Sequence, residues 1–209
     1  MKKILILICI LVFGVASLFA GEAAASETPQ AAQPTEATGA TAKNLYLGGY
    51  LNLGMSKLTA PDDANYSADP GFAFGIHFGG NYYFSSNFGL NFSIGYERLA
   101  MSRSGASVWS HIIPINLGGG LKFGGFYTNF GISLGLHAAT YIKIGEVSAK
   151  QQDSNTLLFG FYLNPGYRIS VGSYSIPVGL EFKYYLTSVS SMGSGNKWWQ
   201  LTLKIGFEF

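Results

Sequence analysis

Apolar and polar side chains alternate along the chain in eight separate runs, beginning at Asn44. In the third run, for example, Phe92 and Ile94 alternate with Asn91 and Ser93. Successive residues of a β-strand point to opposite faces, so this period of two predicts eight strands with one apolar and one polar face each. Each run reaches the roughly 9 to 11 residues that a tilted strand needs to cross a bilayer.

The connections between the runs alternate in length. Tight turns are predicted at Ser85 to Asn87, at Gly124-Gly125 and at Gly172-Ser173. Short periplasmic turns and longer outer loops are the asymmetry expected of outer-membrane barrels. Because the first connection is long, we expect the N-terminal end of the barrel on the short-turn side. The longer polar connections are predicted near 58–70, 103–107, 146–155 and 190–196.

Alternation alone leaves open whether the apolar face meets lipid or a soluble core, as in a lipocalin. Charged residues make up only 11% of the chain, against roughly 25% in typical soluble proteins, and aromatic residues make up 15%. The apolar face also lacks charge in the middle of every run, where a Lys or Arg would cost about 2–4 kcal/mol at the bilayer midplane. Aromatic residues such as Phe126 and Trp199 gather near the strand ends, as interfacial girdles do. The apolar face is therefore predicted to meet lipid.

The last run, from Leu201 to Phe209, alternates and ends in Phe. It resembles the assembly signal of the small outer-membrane β-barrel family, which includes the OmpA-type transmembrane domain and OmpX-like proteins. The resemblance covers residues 44–209 and implies an all-β, eight-stranded antiparallel up-and-down transmembrane β-barrel in the bacterial outer membrane. It also implies that outer-membrane lipid surrounds the chain and that the outer-membrane assembly machinery recognises the last strand. The signal positions are Leu203, Ile205, Phe207 and Phe209.

The N-terminal segment has the parts of a secretory signal. Lys2 and Lys3 precede an apolar stretch and then small residues, so residues 1–25 are predicted to be a signal peptide cleaved between 20 and 25. Residues 26–43 are rich in Ala, Thr, Pro and Glu with little to bury, which predicts a disordered periplasmic leader. Cys9 is the one cysteine and lies within the predicted signal.

The polar face carries charged residues that would point into the barrel. An eight-stranded barrel is just wide enough for side chains to fill it, so such charges must pair or stay wet. Glu181 and Lys204 fall at similar heights on adjacent strands, which suggests that they pair across the interior. A structural plug is favoured over a gated ion path. The predicted interior polar cluster consists of Glu97, Lys122, Arg168, Glu181, Lys183, Lys204 and Glu208.

The sequence gives little support for catalysis, a metal or a cofactor, and none of the three is predicted. Ser110 and His111 are adjacent, but neighbours on a strand point to opposite faces. The segment from Asp63 to Asp69 mimics the opening of a calcium loop but has Ala68 in place of the required Gly. Without Lys2 and Lys3, 11 basic residues balance 11 acidic ones, which gives no reason to expect nucleic-acid binding.

These observations predict a non-enzymatic integral outer-membrane protein with a structural or surface-interaction role. That role covers envelope integrity, adhesion or contact with the environment through the outer loops. The alternatives are a narrow porin-like channel, a conduit for a small hydrophobic ligand and, with least support, a lipid-modifying barrel enzyme.

Overall fold

The computed structural model describes residues 44–59, 69–103, 105–151, 157–186 and 197–209. The predicted signal peptide and leader lie outside these ranges, as does the calcium-loop-like segment before Asp69. No helix within the described ranges is long and apolar enough to cross a membrane. The strands are β1 (Leu45–Thr59), β2 (Asp69–Tyr83), β3 (Phe88–Arg103), β4 (Ala106–Phe123), β5 (Phe126–Ile144), β6 (Val147–Gln151), β7 (Leu157–Val171), β8 (Tyr174–Tyr185) and β9 (Lys197–Glu208).

Eight of these strands form a closed antiparallel barrel. Each of the eight pairs with the next one along the chain. Strand β6 is not part of the barrel, so β5 pairs with β7. The barrel closes where β1 pairs with β9, from Gly48 opposite Glu208 to Thr59 opposite Lys197. The predicted eight-stranded up-and-down barrel is confirmed.

The two ends of the barrel differ, and we call them the turn end and the loop end. At the turn end lie the first and last strand termini and the short connections, including the predicted turns at Gly124 and Gly172. Both glycines have positive φ values, 60° and 62°. Tight hairpin turns use such values, which are unfavourable for residues with a side chain. At the loop end lie the connections that the sequence predicted to be longer.

Two of the predicted long loops are wrong. Strand β3 ends at Arg103 and β4 already begins at Ala106, where a longer loop over 103–107 was expected. Strand β5 continues to Ile144, beyond Leu136, where its pairing with β7 ends. A two-residue turn then leads into β6, which pairs back onto Thr140–Ile144. Residues 147–151 are therefore the second strand of a hairpin, and residues 152–155 lie outside the described ranges. Gly105 and Gly145 supply the positive φ of these turns, at 82° and 57°.

Side-chain exposure follows the predicted alternation. On the outside, large apolar side chains are open, such as Phe78 at 64% and Leu90 at 55% exposure. On the inside, even large side chains are covered, such as Tyr83 at 1% and Tyr185 at 0%. An exterior of exposed Leu, Ile and Phe is costly in water and favourable in lipid, so the barrel is built inside out relative to a soluble one.

Candidate functional site

The inward-facing side chains divide into three layers along the barrel axis. The turn-end layer contains Arg168 and Glu208, and the central layer contains Glu97, Glu181, Lys183 and Lys204. An apolar layer fills the loop end, and its members are Leu58, Leu99, Met101, Ile112, Leu158 and Trp198. The alternation of the strands places all these side chains inside, and the strand register sets their depth.

The central layer is a chain of ion pairs built on Lys183. The Lys183 ammonium contacts Glu97 Oε1 and lies 3.0 Å from Glu181 Oε1. The other oxygen of Glu181 lies 2.9 Å from Lys204 Nζ, so the pair suggested from the sequence is within hydrogen-bonding distance. Asn52 donates a hydrogen bond to Glu181 at 2.7 Å. Every charge in this layer therefore has an opposite charge beside it, as burial requires.

His77 extends the central layer towards β2. Its Nε2 lies 3.0 Å from Glu97 Oε1, and both side chains are fully buried. Glycines on the neighbouring strand positions make room for them. A Cβ on Gly75 would lie 2.9 Å from Glu97 Cγ, and one on Gly95 would lie 2.8 Å from His77 Cγ. The glycines on the polar face thus let large charged side chains fold across the interior.

The turn-end layer is centred on Glu208. Arg168 Nε donates to Glu208 Oε2 at 2.6 Å, while the Tyr50 hydroxyl donates to Glu208 Oε1 at 2.9 Å. The Arg168 guanidinium also donates to the Tyr83 hydroxyl at 3.2 Å and lies 4.6 Å from the centre of the Tyr127 ring. Charge-assisted hydrogen bonds and ring contacts thus hold a guanidinium that is 6% exposed.

Lys122 differs from the other members of the predicted polar cluster. It is only partly buried, at the turn end, and forms no ion pair with a described residue. Its ammonium lies 4.5 Å from the centre of the Tyr83 ring and 5.5 Å from that of Tyr46. The other six members form the two ion-paired layers, with three carboxylates and three cations. The described buried ion pairs therefore leave no net charge inside the barrel.

The apolar layer was missed in the sequence. Leu99, Ile112, Leu158 and Trp198 are all 0% exposed, although they occupy positions on the face taken as polar. Tyr185 joins this layer to the central one, since its ring packs in the apolar cluster and its hydroxyl lies 3.4 Å from Glu97 Oε2. The signal in the sequence was a large apolar or aromatic residue near the loop end of the polar face on β1, β3, β4, β7, β8 and β9.

Three buried groups lie close enough to hold a metal ion, namely His77, Glu97 and Glu181. The Lys183 ammonium already lies between the two carboxylates, and Lys204 supplies the second positive charge that neutralises them. A metal ion would have to displace the Lys183 ammonium and would place its own positive charge beside the Lys204 ammonium. The donor set therefore fits an internal salt-bridge network better than a metal centre.

The adjacent Ser110 and His111 are separated by the strand itself. Ser110 is buried inside, where its hydroxyl lies 3.0 Å from that of Thr140. His111 lies on the outer surface and is hydrogen-bonded to the Tyr96 hydroxyl. These two residues do not form a nucleophile–base pair, as the alternation predicted.

The four positions of the C-terminal assembly signal lie on the outer face. Leu203, Ile205, Phe207 and Phe209 are 42–59% exposed. The backbone of Phe209 is tied to β1 through hydrogen bonds of 2.8 and 3.1 Å with Leu47. The signal residues are thus part of the lipid-facing surface in the closed barrel.

No protein-family model matches the chain, and no curated protein matches it. Among solved structures, Neisserial surface protein A is similar, with a TM-score of 0.57 and 13% sequence identity, over 80% of this chain and 98% of that protein. Ail of Yersinia pestis has a TM-score of 0.48 and 13% identity, over 80% of this chain and 100% of its own. OprG of Pseudomonas aeruginosa has a TM-score of 0.40 and 13% identity, over 79% and 94%. The chain has the fold of the small bacterial outer-membrane β-barrels.

Proposed function

We propose that the protein is a non-enzymatic integral outer-membrane barrel with a closed interior, and that its role is structural or surface-directed. The observation that carries this proposal is how the interior is filled. Two layers of paired charges are stacked below an apolar layer whose largest members are fully buried. An ion crossing the barrel would have to part the salt bridges and then enter an apolar constriction, which opposes passage by excluding water.

Planar-bilayer recording of the refolded protein tests the closed interior. We expect no conductance steps above those of the bare bilayer. A Leu99→Gly and Leu158→Gly double variant removes two side chains of the apolar layer and leaves both ion-paired layers in place. Brief openings in this variant but not in the unaltered protein would show that the apolar layer is a barrier to ions. Stable steps from the unaltered protein would favour the narrow channel instead and would reject the closed interior.

A conduit for a small hydrophobic ligand is a second candidate, supported by the apolar layer at the loop end. A ligand would have to displace the packed Trp198 and Leu158 side chains to enter. Binding of a fluorescent fatty acid by the refolded protein, lost in the Trp198→Ala variant, would favour this alternative. Because both side chains are fully buried, we expect no saturable binding.

We also propose that the outer-membrane assembly machinery recognises the C-terminal strand. The support is the alternation that ends at Phe209 and the position of β9 as the strand that closes the barrel. A Phe209→Ser variant should accumulate unassembled in the periplasm while refolding normally in detergent. Equal assembly of the variant and the unaltered protein in cells would reject this role for Phe209.

A further inference from the structure

A cluster of cationic and aromatic side chains lies on the outer surface near the loop end. On β3 and β4, Arg98 is paired with His111, and the Arg98 guanidinium lies 5.2 Å from the centre of the Trp109 ring. Trp109 in turn stacks on Tyr141 of β5, with ring centres 5.9 Å apart and planes at 12°. We call this surface the β3–β5 patch, and it also includes Lys143 and Lys150.

The patch has two levels of positive charge above the apolar surface. Arg98 supplies the charge of the lower level, and uncharged His111 lies opposite it on β4. On the same strands, exposed Tyr96 and Ile94 follow Arg98 towards the turn end, and exposed Ile113 follows His111. Lys150 of β6 is opposite Tyr141, which lies two residues closer to the loop end than the β5 partner of His111. Exposed Lys143 lies two residues further along β5. Two residues along a strand span about 7 Å, so the cations lie within a few such steps of the lipid-facing surface.

The aromatic contacts hold the lower level in place. His111 is hydrogen-bonded to Tyr96, and its ring packs edge-on against Tyr141 with centres 5.3 Å apart. Arg98 is supported by the face of Trp109 rather than by a carboxylate. Among the described residues, no acidic side chain forms an ion pair with Arg98, Lys143 or Lys150. The guanidinium therefore retains its capacity to bind an anion with two hydrogen bonds.

Acidic side chains around the patch are few and lie further from the apolar surface. Glu146 lies in the turn of the β5–β6 hairpin, beyond Lys143. Asp69 is the first residue of β2 and pairs with Ser102, which lies four residues closer to the loop end than Arg98 on β3. The other described carboxylates, Glu97, Glu181 and Glu208, are inside the barrel. Among the described residues, the patch thus carries more positive than negative charge on the loop-end side of the exposed apolar surface.

We propose that the β3–β5 patch binds the phosphorylated headgroup of an outer-leaflet glycolipid, with the acyl chains against the apolar surface below it. Arg98 would contact one phosphate at the lower level, and Lys150 and Lys143 a second phosphate above it. Charge complementarity and continuity with the lipid-facing surface support this occupant over a soluble partner. The inference rests on the proposed outer-membrane location and adds a specific lipid site to it.

Native mass spectrometry of the detergent-refolded protein with diphosphoryl lipid A as the probe tests this site. We expect retention of diphosphoryl lipid A over a fully dephosphorylated lipid A. A triple variant, Arg98→Gln, Lys143→Gln and Lys150→Gln, should weaken retention by roughly tenfold or more, since three cations near an anionic surface are lost. A control variant, Lys57→Gln, Lys122→Gln and Lys197→Gln, removes the same charge elsewhere and should retain the lipid as the unaltered protein does.

Equal losses in the two triple variants would show that only overall charge matters and would overturn the site, as would retention of both lipids alike. Heat-modifiable gel mobility separates this result from failure of the barrel itself. A folded protein without lipid preference rejects the patch alone, whereas a protein that never folds in detergent rejects the membrane barrel. If the triple variant does not fold, the single Arg98→Gln variant and its match Lys57→Gln provide the same comparison.

Discussion

The central layer and the apolar layer fill the same barrel in two different ways. In the central layer, four charged residues and His77 are buried among polar neighbours. They contribute to stability because opposite charges lie beside each other. In the apolar layer, side chains such as Leu99 and Trp198 are equally buried but contribute through packing and transfer from water. Removing one member therefore leaves an unpaired charge in one layer and an empty space in the other.

The largest effect is expected for Lys183→Met, because this change removes the cation shared by Glu97 and Glu181. Breaking a buried ion pair by deleting one partner costs about 3–5 kcal/mol. The free energy of unfolding, from urea titration of the protein in lipid vesicles, should fall by an amount in that range. Adding Glu97→Gln to the variant should recover part of the loss. No recovery would mean that the volume or length of Lys183, not its charge, is what stabilises the layer.

Leu99→Ala should produce the next largest loss. The side chain is fully buried in the apolar layer, so its truncation leaves a cavity and is expected to cost about 3 kcal/mol. Leu90→Ala, on the same strand but 55% exposed to lipid, is the matched control. It removes the same atoms without opening a cavity inside the barrel. Similar losses for the two variants in urea titrations would contradict the view that the loop end is packed like a protein core.

Lys204→Gln should have a smaller effect than Lys183→Met. Glu181 keeps Lys183 and Asn52 as partners after the change, so it is not left without a cation, although Lys183 is then shared by two carboxylates. The lost charge-assisted hydrogen bond predicts a decrease of about 1.5 kcal/mol in the free energy of unfolding. Heat-modifiable gel mobility should persist. A loss as large as that of Lys183→Met would show that the two lysines act as one unit.

The difference between the layers also explains what the sequence could predict. The period of two assigns each residue to a face, so the eight barrel strands and the lipid-facing side could be predicted. The proximity of Glu181 and Lys204 came from counting residues from the connection between their strands. The same period says nothing about depth along the axis. Leu99 and Leu158 were therefore overlooked as apolar residues on a polar face.

Strand β6 was missed for a different reason. Its sequence, from Val147 to Gln151, is short and has little alternation. It forms by pairing with the part of β5 that extends beyond the pairing of β5 with β7. Neither the length of that extension nor its partner could be predicted from local pattern. The β3–β5 patch was overlooked for the same reason, since Lys150 reaches it only through this hairpin.

The smallest effect is expected for Lys122→Gln. Lys122 lies at the edge of the turn-end layer, partly exposed, and contacts aromatic rings rather than a carboxylate. A cation–π contact at such a position contributes about 0.5–1 kcal/mol, and glutamine preserves most of the side-chain volume. The urea midpoint should therefore move little, while Arg168→Gln in the same layer should move it far more by leaving Glu208 without its cation. A large loss for Lys122→Gln would place this lysine inside the ion-paired network rather than at its edge.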